Sequence, residues 1–234
     1  MLKTVETTKA ETFACQYCEK EFKREKTLFT HICEQKRRYN SKSDSNVQLG
    51  LYAFNTFYKA SQNRLKEKSF DDFAKSPYYT AFVKFGKYCN EVKAISPIRF
   101  IDYVIRNNKR LDDWATDKMY TEYLAYIIVK EDVGDALTRG IEYSFEWAEE
   151  HDMEACDLLR YGSETRICYA INAGKISPWA IYQSKSGEAF LNQLPNKQIQ
   201  MIWDMIDADV WSKKFNKSPD DVKFAQTILK DAGW

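Results

Sequence analysis

From Val47 onward the apolar positions recur at steps of three and four residues rather than two. Leu51, Phe54, Tyr58 and Leu65 form one such stripe, with Ser45 or Asn46 placed to cap it. Phe100, Ile101, Val104 and Ile105 form a second, and Val222, Ala225, Ile228 and Leu229 a third that Gly233 closes. Residues 117–130 and 134–151 carry the same period. Four of the five prolines follow a serine, at Ser76-Pro77, Ser96-Pro97, Ser177-Pro178 and Ser218-Pro219. Each pair offers a capping hydroxyl and then a residue whose fixed φ suits the first helical turn, so each predicts a helix start. Asn-Gly and Asp-Gly turns are absent, as is sustained alternation. The pattern predicts a mainly α protein. An irregular all-helical domain of about eight to ten helices fills residues 47–234, and strands are confined to a small head.

The head is set off by residues 39–46, Tyr-Asn-Ser-Lys-Ser-Asp-Ser-Asn, a polar run of turn formers that reads as a linker. Before it lie an N-terminal tail at 1–12 and a compact segment at 13–38. The chain has 234 residues, 44% of them hydrophobic, with only 8 Gly and 5 Pro, which excludes a disordered or collagen-like chain. No apolar run is long enough for a membrane helix, and the first residues lack the apolar core of a secretory leader.

The net charge of +1 excludes a uniformly basic wrapper of nucleic acid, but it conceals an asymmetry. Residues 1–42 hold ten Lys or Arg against six Asp or Glu, a net of +4, and the remainder hold twenty-five against twenty-eight, a net of −3. A basic head therefore precedes a mildly acidic body.

Four of the head's residues carry the clearest chemistry. Cys15, Cys18, His31 and Cys33 fall within Phe13-x-Cys15-x2-Cys18-x3-Phe22-x5-Leu28-x2-His31-x-Cys33. Two cysteines three apart can reach one ion from the knuckle of a short hairpin, and a following helix can return His31 to the same ion. Phe22 and Leu28 supply most of the core that so small a module can have, which is why it needs a metal. The fourth position is irregular. Residues two apart on a helix point about 200° apart, so His31 and Cys33 cannot both face one ion from a regular helix. Either the helix unwinds after His31 and Cys33 swings back, or another group completes the shell. We favour the frayed helix and the order Cys-Cys-His-Cys, which implies one structural Zn2+ with no open position. Cys89, Cys156 and Cys168 read as small core residues.

This pattern resembles the C2H2 zinc finger at Phe13, Cys15, Cys18, Phe22, Leu28 and His31, and departs from it at Cys33. The resemblance implies a ββα-like head whose base-reading positions fall on Arg24, Thr27 and Thr30, with Lys26 beside them. Arg24 suits a guanine edge. Lys20, Lys23, Lys36, Arg37 and Arg38 would hold phosphates, although Lys36-Arg37-Arg38 also reads as a solvated basic turn. Tyr17, Phe29 and Tyr39 interleave with these cations, as stacking on unpaired bases would require. Phe29 is unusual where DNA-reading fingers are polar, and instead suggests docking on the body or a partner.

The whole chain is similar to zinc-finger proteins of large tailed, T-even-type bacteriophages. The similar segments are Cys33-Glu-Gln-Lys-Arg-Arg-Tyr39, Val47-Gln-Leu-Gly-Leu51, Ser69-Phe-Asp-Asp-Phe-Ala-Lys-Ser-Pro-Tyr-Tyr79 and Ala232-Gly-Trp234. The similarity implies action in the infected bacterial cytoplasm or association with the virion.

Elsewhere the chemistry is sparse. Residues 131–157 hold ten Asp or Glu and one basic residue, Arg139. Glu142, Glu146 and Glu149 or Glu150 stand at helical spacing and read as a solvated acidic face. A metal-dependent nuclease using them is the remote alternative. His151 reads as a cation at a helix C-terminus. No phosphate-cradling or serine-hydrolase motif occurs. The expectation is a non-enzymatic, zinc-dependent nucleic-acid-binding protein, with DNA favoured over RNA, whose body meets a replication, transcription or virion protein. The competing expectation is an adaptor or structural protein whose finger docks on protein.

Overall fold

The computed structural model describes residues 12–62 and 67–234. Leu65 and all of the expected tail except Thr12 lie outside the described residues. Among those described, fifteen α-helices accompany a single two-stranded sheet, so the protein is mainly α with a small finger-like N-terminal part.

In the head, β1 (Phe13–Ala14) pairs antiparallel with β2 (Glu21–Phe22), with Phe13 opposite Phe22. The chain reverses between them at Glu19, which takes a φ of 60° and donates its backbone N–H to the Cys15 carbonyl at 2.8 Å. Next come α1 (Glu25–Thr30) and α2 (Glu34–Asn40). A turn over residues 41–44 leads into the body.

Contacts divide the chain into two compact units, one ending at Ala115 and the other running from Thr116 to Trp234. The first contains the head and four further helices, α3 (Ser45–Gln62), α4 (Phe70–Lys75), α5 (Tyr79–Glu91) and α6 (Pro97–Arg106), then a 3-10 turn at Leu111–Asp113. Its main packing is α3 against α5. Two glycines allow that approach. A Cβ on Gly50 would stand 2.9 Å from the Phe82 carbonyl oxygen, and one on Gly86 would overlap the Asn46 carbonyl. Around this seam Phe54, Phe73, Phe82, Phe85, Phe100 and Trp114 are all buried and meet at centroid separations of 5–6 Å.

The second unit comprises α7 (Asp117–Ile127), α8 (Val133–His151), a 3-10 turn at Ala155–Asp157 and α9 (Leu158–Tyr161). It continues with α10 (Glu164–Asn172), α11 (Pro178–Gln183), α12 (Lys185–Gln193), α13 (Asn196–Ile206), α14 (Ala208–Lys217) and α15 (Pro219–Asp231). Trp147 on α8, Trp179 on α11 and Trp211 on α14 are fully buried. Trp211 donates its indole N–H to the Met205 carbonyl at 2.7 Å, which meets the polar need of so large a buried ring. Arg139 on α8 makes a two-pronged pair with the buried Glu131, at 2.8 and 2.7 Å. Its Nε donates to the Gly174 carbonyl at 2.6 Å. The basic residue of the acidic region is therefore structural.

The stripes at 117–130 and 134–151 correspond to α7 and α8, while the expected helix count is too low. Short helices that share caps account for the difference. Ser184, for example, ends α11 and caps α12 through its hydroxyl, which accepts from the Gly187 N–H at 3.0 Å. Three of the four Ser-Pro pairs place proline at a helix start. Ser76-Pro77 does not. Ser76 closes α4 by donating its N–H to the Phe73 carbonyl, and α5 starts only at Tyr79.

The backbone contact at Gly86 leaves no room for a methyl group. Gly86→Ala is expected to lower the unfolding free energy by about 1–3 kcal/mol, read as an earlier urea midpoint. Unchanged stability would show that α3 and α5 can separate without cost.

Candidate metal centre

The two strands and the ends of α1 and α2 bring Cys15, Cys18, His31 and Cys33 to one point. One ligand atom from each lies within 4.8 Å of all the others. Cys18 Sγ and His31 Nε2 are 3.3 Å apart. Around a tetrahedral ion with bonds near 2.3 Å to sulfur and 2.0–2.1 Å to nitrogen, ligand atoms sit about 3.5–3.8 Å apart. The spacing and the soft sulfur-rich donors therefore fit one metal ion, with all four positions filled by protein.

The irregular spacing of the last two ligands is resolved by where α1 stops. The helix ends at Thr30, and His31 is already extended, with φ −69° and ψ 123°. The chain stays extended at Cys33, with φ −92° and ψ 167°, so Cys33 turns back toward the other three. The expected frayed end is thus present, one residue earlier than a helix running through His31 would require. Cys33 also caps α2. Its sulfur accepts the Lys36 backbone N–H at 3.3 Å, while the Lys36 ammonium donates to the His31 carbonyl at 3.4 Å. Phe22 packs on the imidazole at 4.7 Å between centroids, with the two rings tilted by 47°.

The thiols differ in their surroundings. Backbone N–H groups at Tyr17 and Cys18 hold Cys15 below its ordinary range. At Cys18 a backbone N–H at Lys20 acts in the same sense, but burial and the neighbouring thiols of Cys33 and Cys15 outweigh it and push the group up. Three thiolates this close repel one another, and a bound cation would offset that repulsion.

The site is tied to the helical body by α2. Tyr17, in the knuckle, packs on Tyr39 at 5.1 Å, and Tyr39 packs edge-on to Phe70 of α4 at 5.3 Å. The Asp71 carboxylate beside the Tyr39 phenol pushes its pKa up to about 12. A raised phenol pKa favours the folded state below the ordinary tyrosine range, near 10, so this contact persists at neutral pH and is lost only as pH climbs through about 12. Arg38 donates to the Ala74 carbonyl at 2.6 Å and stacks 4.5 Å above Tyr79. It also pairs with Glu34. The Ala74 carbonyl belongs to the last turn of α4, where helices leave acceptors unfilled, so the guanidinium acts as a clamp. With only 13% of its side chain exposed, Arg38 faces the body rather than solvent.

The other cations lie differently. Lys20, Lys23, Arg24, Lys26 and Arg37 are exposed, as are Thr27 and Thr30, while Lys36 is half-buried. Lys20 sits 5.7 Å over the Phe22 ring, and the Thr30 hydroxyl donates back to the Lys26 carbonyl at 3.2 Å. Arg24 is the extended residue before α1 and not part of the helix. Phe29 is 84% exposed, whereas Tyr17 packs on Tyr39 of α2, which in turn meets Phe70 of the body.

In the acidic region Glu142, Glu146, Glu149 and Glu150 are exposed, and no second group of metal-binding side chains converges among the described residues. Arg166 donates to Glu150 at 2.5 Å and holds that carboxyl below its ordinary range. His151 stacks on Trp147, at 4.9 Å and 20°, in the last turn of α8, and is not one of the clustered side chains. Cys89 and Cys168 are buried, and burial pushes Cys89 up to about 12. Cys156 is half-exposed, beside Gly233 at the chain end, and is not a core residue.

The fold and site together define a mainly α protein with a finger-like head whose Cys3His group is positioned to hold one metal ion. Comparison with models of known families, with curated proteins and with solved structures finds no match. No described helix is long and apolar enough to cross a membrane.

The role of Cys33 as both ligand and cap can be separated from that of a bystander thiol. Cys33→Ala is expected to weaken the cobalt–thiolate absorption of the reconstituted site by about a third, and to raise hydrogen exchange across Glu34–Asn40. Cys156→Ser should alter neither. Equal protection of α2 in the Cys33 variant would show that the cap is dispensable.

Proposed function

We propose that the protein is a non-enzymatic, zinc-dependent nucleic-acid-binding protein in which the head engages the phosphate backbone. The observation that carries this reading is the distribution of cations around the Cys3His cluster. Lys23, Arg24, Lys26 and Arg37 point to solvent and make no ion pair among the described residues, while Arg38 is taken up by the body. Zinc is the ion proposed because a closed shell of three thiolates and one imidazole is its usual structural site. Lys20, Lys23, Lys26, Lys36 and Arg37 hold phosphates, and Arg24, with Thr27 and Thr30, addresses base edges. DNA is the favoured ligand. Because α1 spans only six residues, about 9 Å, base reading is confined to one or two pairs and affinity depends on the charges.

The sequence resemblance to finger proteins of large tailed bacteriophages, which the comparisons with known proteins do not bear out, is the ground on which we place it in the infected bacterial cytoplasm or the virion. Replication, transcription or packaging are the processes in which a nucleic-acid grip and a helical partner surface are both useful. A second reading rests on Phe29: so large an exposed ring also suits a protein partner, with the finger as adaptor.

Salt dependence discriminates. Duplex binding by the zinc-loaded chain is expected to weaken linearly on a log–log salt plot. Arg24→Ala should cost about 1–3 kcal/mol, and Lys23→Ala should shallow the slope by about one. Absence of binding to both duplex and single strands at low salt would refute the proposal.

A further inference from the structure

A concave site sits on the head beside the proposed metal. Ala14, Cys15, Gln16 and Tyr17 of the knuckle, Glu25, Leu28 and Phe29 of α1, and Lys36 of α2 enclose a cleft of about 420 Å3 that His31 also borders. It is not the space the ion would fill, because Cys18 and Cys33 do not line it. Nor does it coincide with the base-reading positions. Thr27 and Thr30 stand three apart on α1, with Arg24 in the extended residue before it, whereas the cleft takes the neighbouring stripe of Glu25, Leu28 and Phe29.

The lining has a particular chemistry. Tyr17, Leu28 and Phe29 give apolar walls, two of them aromatic, and Gln16, Glu25 and Lys36 give an amide, a carboxylate and an ammonium. Phe29 keeps 84% of its surface in water, a costly placement unless something covers it. Flat apolar walls with polar groups at the edge match a planar ring bearing hydrogen-bonding edges. The cation in the wall, Lys36, matches a phosphate beside it. A duplex cannot supply such a ring, since its bases are stacked and paired. A single strand can.

We propose that this cleft holds one unpaired base of a single-stranded nucleic acid, its face against Phe29 and its phosphate toward Lys36. The inference rests on the nucleic-acid role proposed above and adds a substrate class to it. Glu25 refines the choice of base. Its carboxylate accepts hydrogen bonds and cannot donate them, so it favours an exocyclic amine, as in cytosine or adenine, over the carbonyl edge of thymine.

The test uses the zinc-loaded full chain and three fluorescent probes: oligo-dC and oligo-dT of about 12 nucleotides, and a duplex of the same length. Oligo-dC is expected to bind more tightly than oligo-dT. Phe29→Ser should weaken oligo-dC binding roughly ten-fold while changing duplex binding less than about two-fold. Glu25→Gln should narrow the gap between the two single strands. Because Phe29 is exposed, zinc content and circular dichroism of its variant should match those of the parent, and Gln16→Ala provides a second probe of the cleft. If Phe29→Ser and Gln16→Ala both bind oligo-dC like the parent while Arg24→Ala weakens the duplex, the cleft assignment falls and the basic-head proposal stands. If no probe binds at low salt, both fall. Competition for the cleft by an aromatic, lysine-rich peptide, with no response to oligo-dC, would assign it to a protein partner and overturn the inference.

Discussion

The head must hold four ligand atoms within reach of one ion although almost nothing else holds it together. Its hairpin has two residues per strand, α1 has fewer than two turns, and among its described side chains only Cys15 is buried. A module of this size lacks the apolar burial to offset chain entropy, so the coordinate bonds would supply the missing free energy. Other features of the first unit depend on that convergence. It draws the chain straight at His31 and turns Cys33 back, and so sets the point and direction at which α2 begins.

From α2 the constraint passes into the body by packing. Tyr17, Tyr39, Phe70, Phe73, Phe54, Phe82 and Trp114 touch in series, from the knuckle to the centre of the first unit. Arg38 runs beside them and satisfies carbonyls at the end of α4. Residues that read as a basic extension of the finger are thus divided between two tasks. Arg38 faces inward and anchors, while Arg37, one residue earlier, faces water. The two differ by about 100° around the helix, enough to separate an anchor from a candidate phosphate ligand.

The same division explains what was legible in the sequence. Cys15, Cys18, His31 and Cys33 could be read directly because ligand chemistry requires those residue types at close spacing. The amphipathic stripes of α7 and α8 were equally plain, since a buried helical face leaves a period of 3.6. Helix number was not, because ends such as Ser184 are decided by one hydroxyl serving two helices. The inward turn of Arg38 was hidden too: its partners Ala74 and Ser76 lie 36 and 38 residues away, and their backbone carbonyls carry no sequence signal. The cleft beside Phe29 also belongs to tertiary structure, since Gln16, Phe29 and Lys36 are brought together by the fold alone.

The central claim is that three thiolates and one imidazole close a metal shell that organises the head. X-ray absorption at the zinc edge on undenatured full-length protein tests it most directly. The expected result is one zinc per chain, with about three sulfur neighbours near 2.3 Å and one nitrogen near 2.0–2.1 Å. Protein that folds with well under one equivalent of zinc, or a shell in which a light atom replaces the Cys33 sulfur, would contradict it.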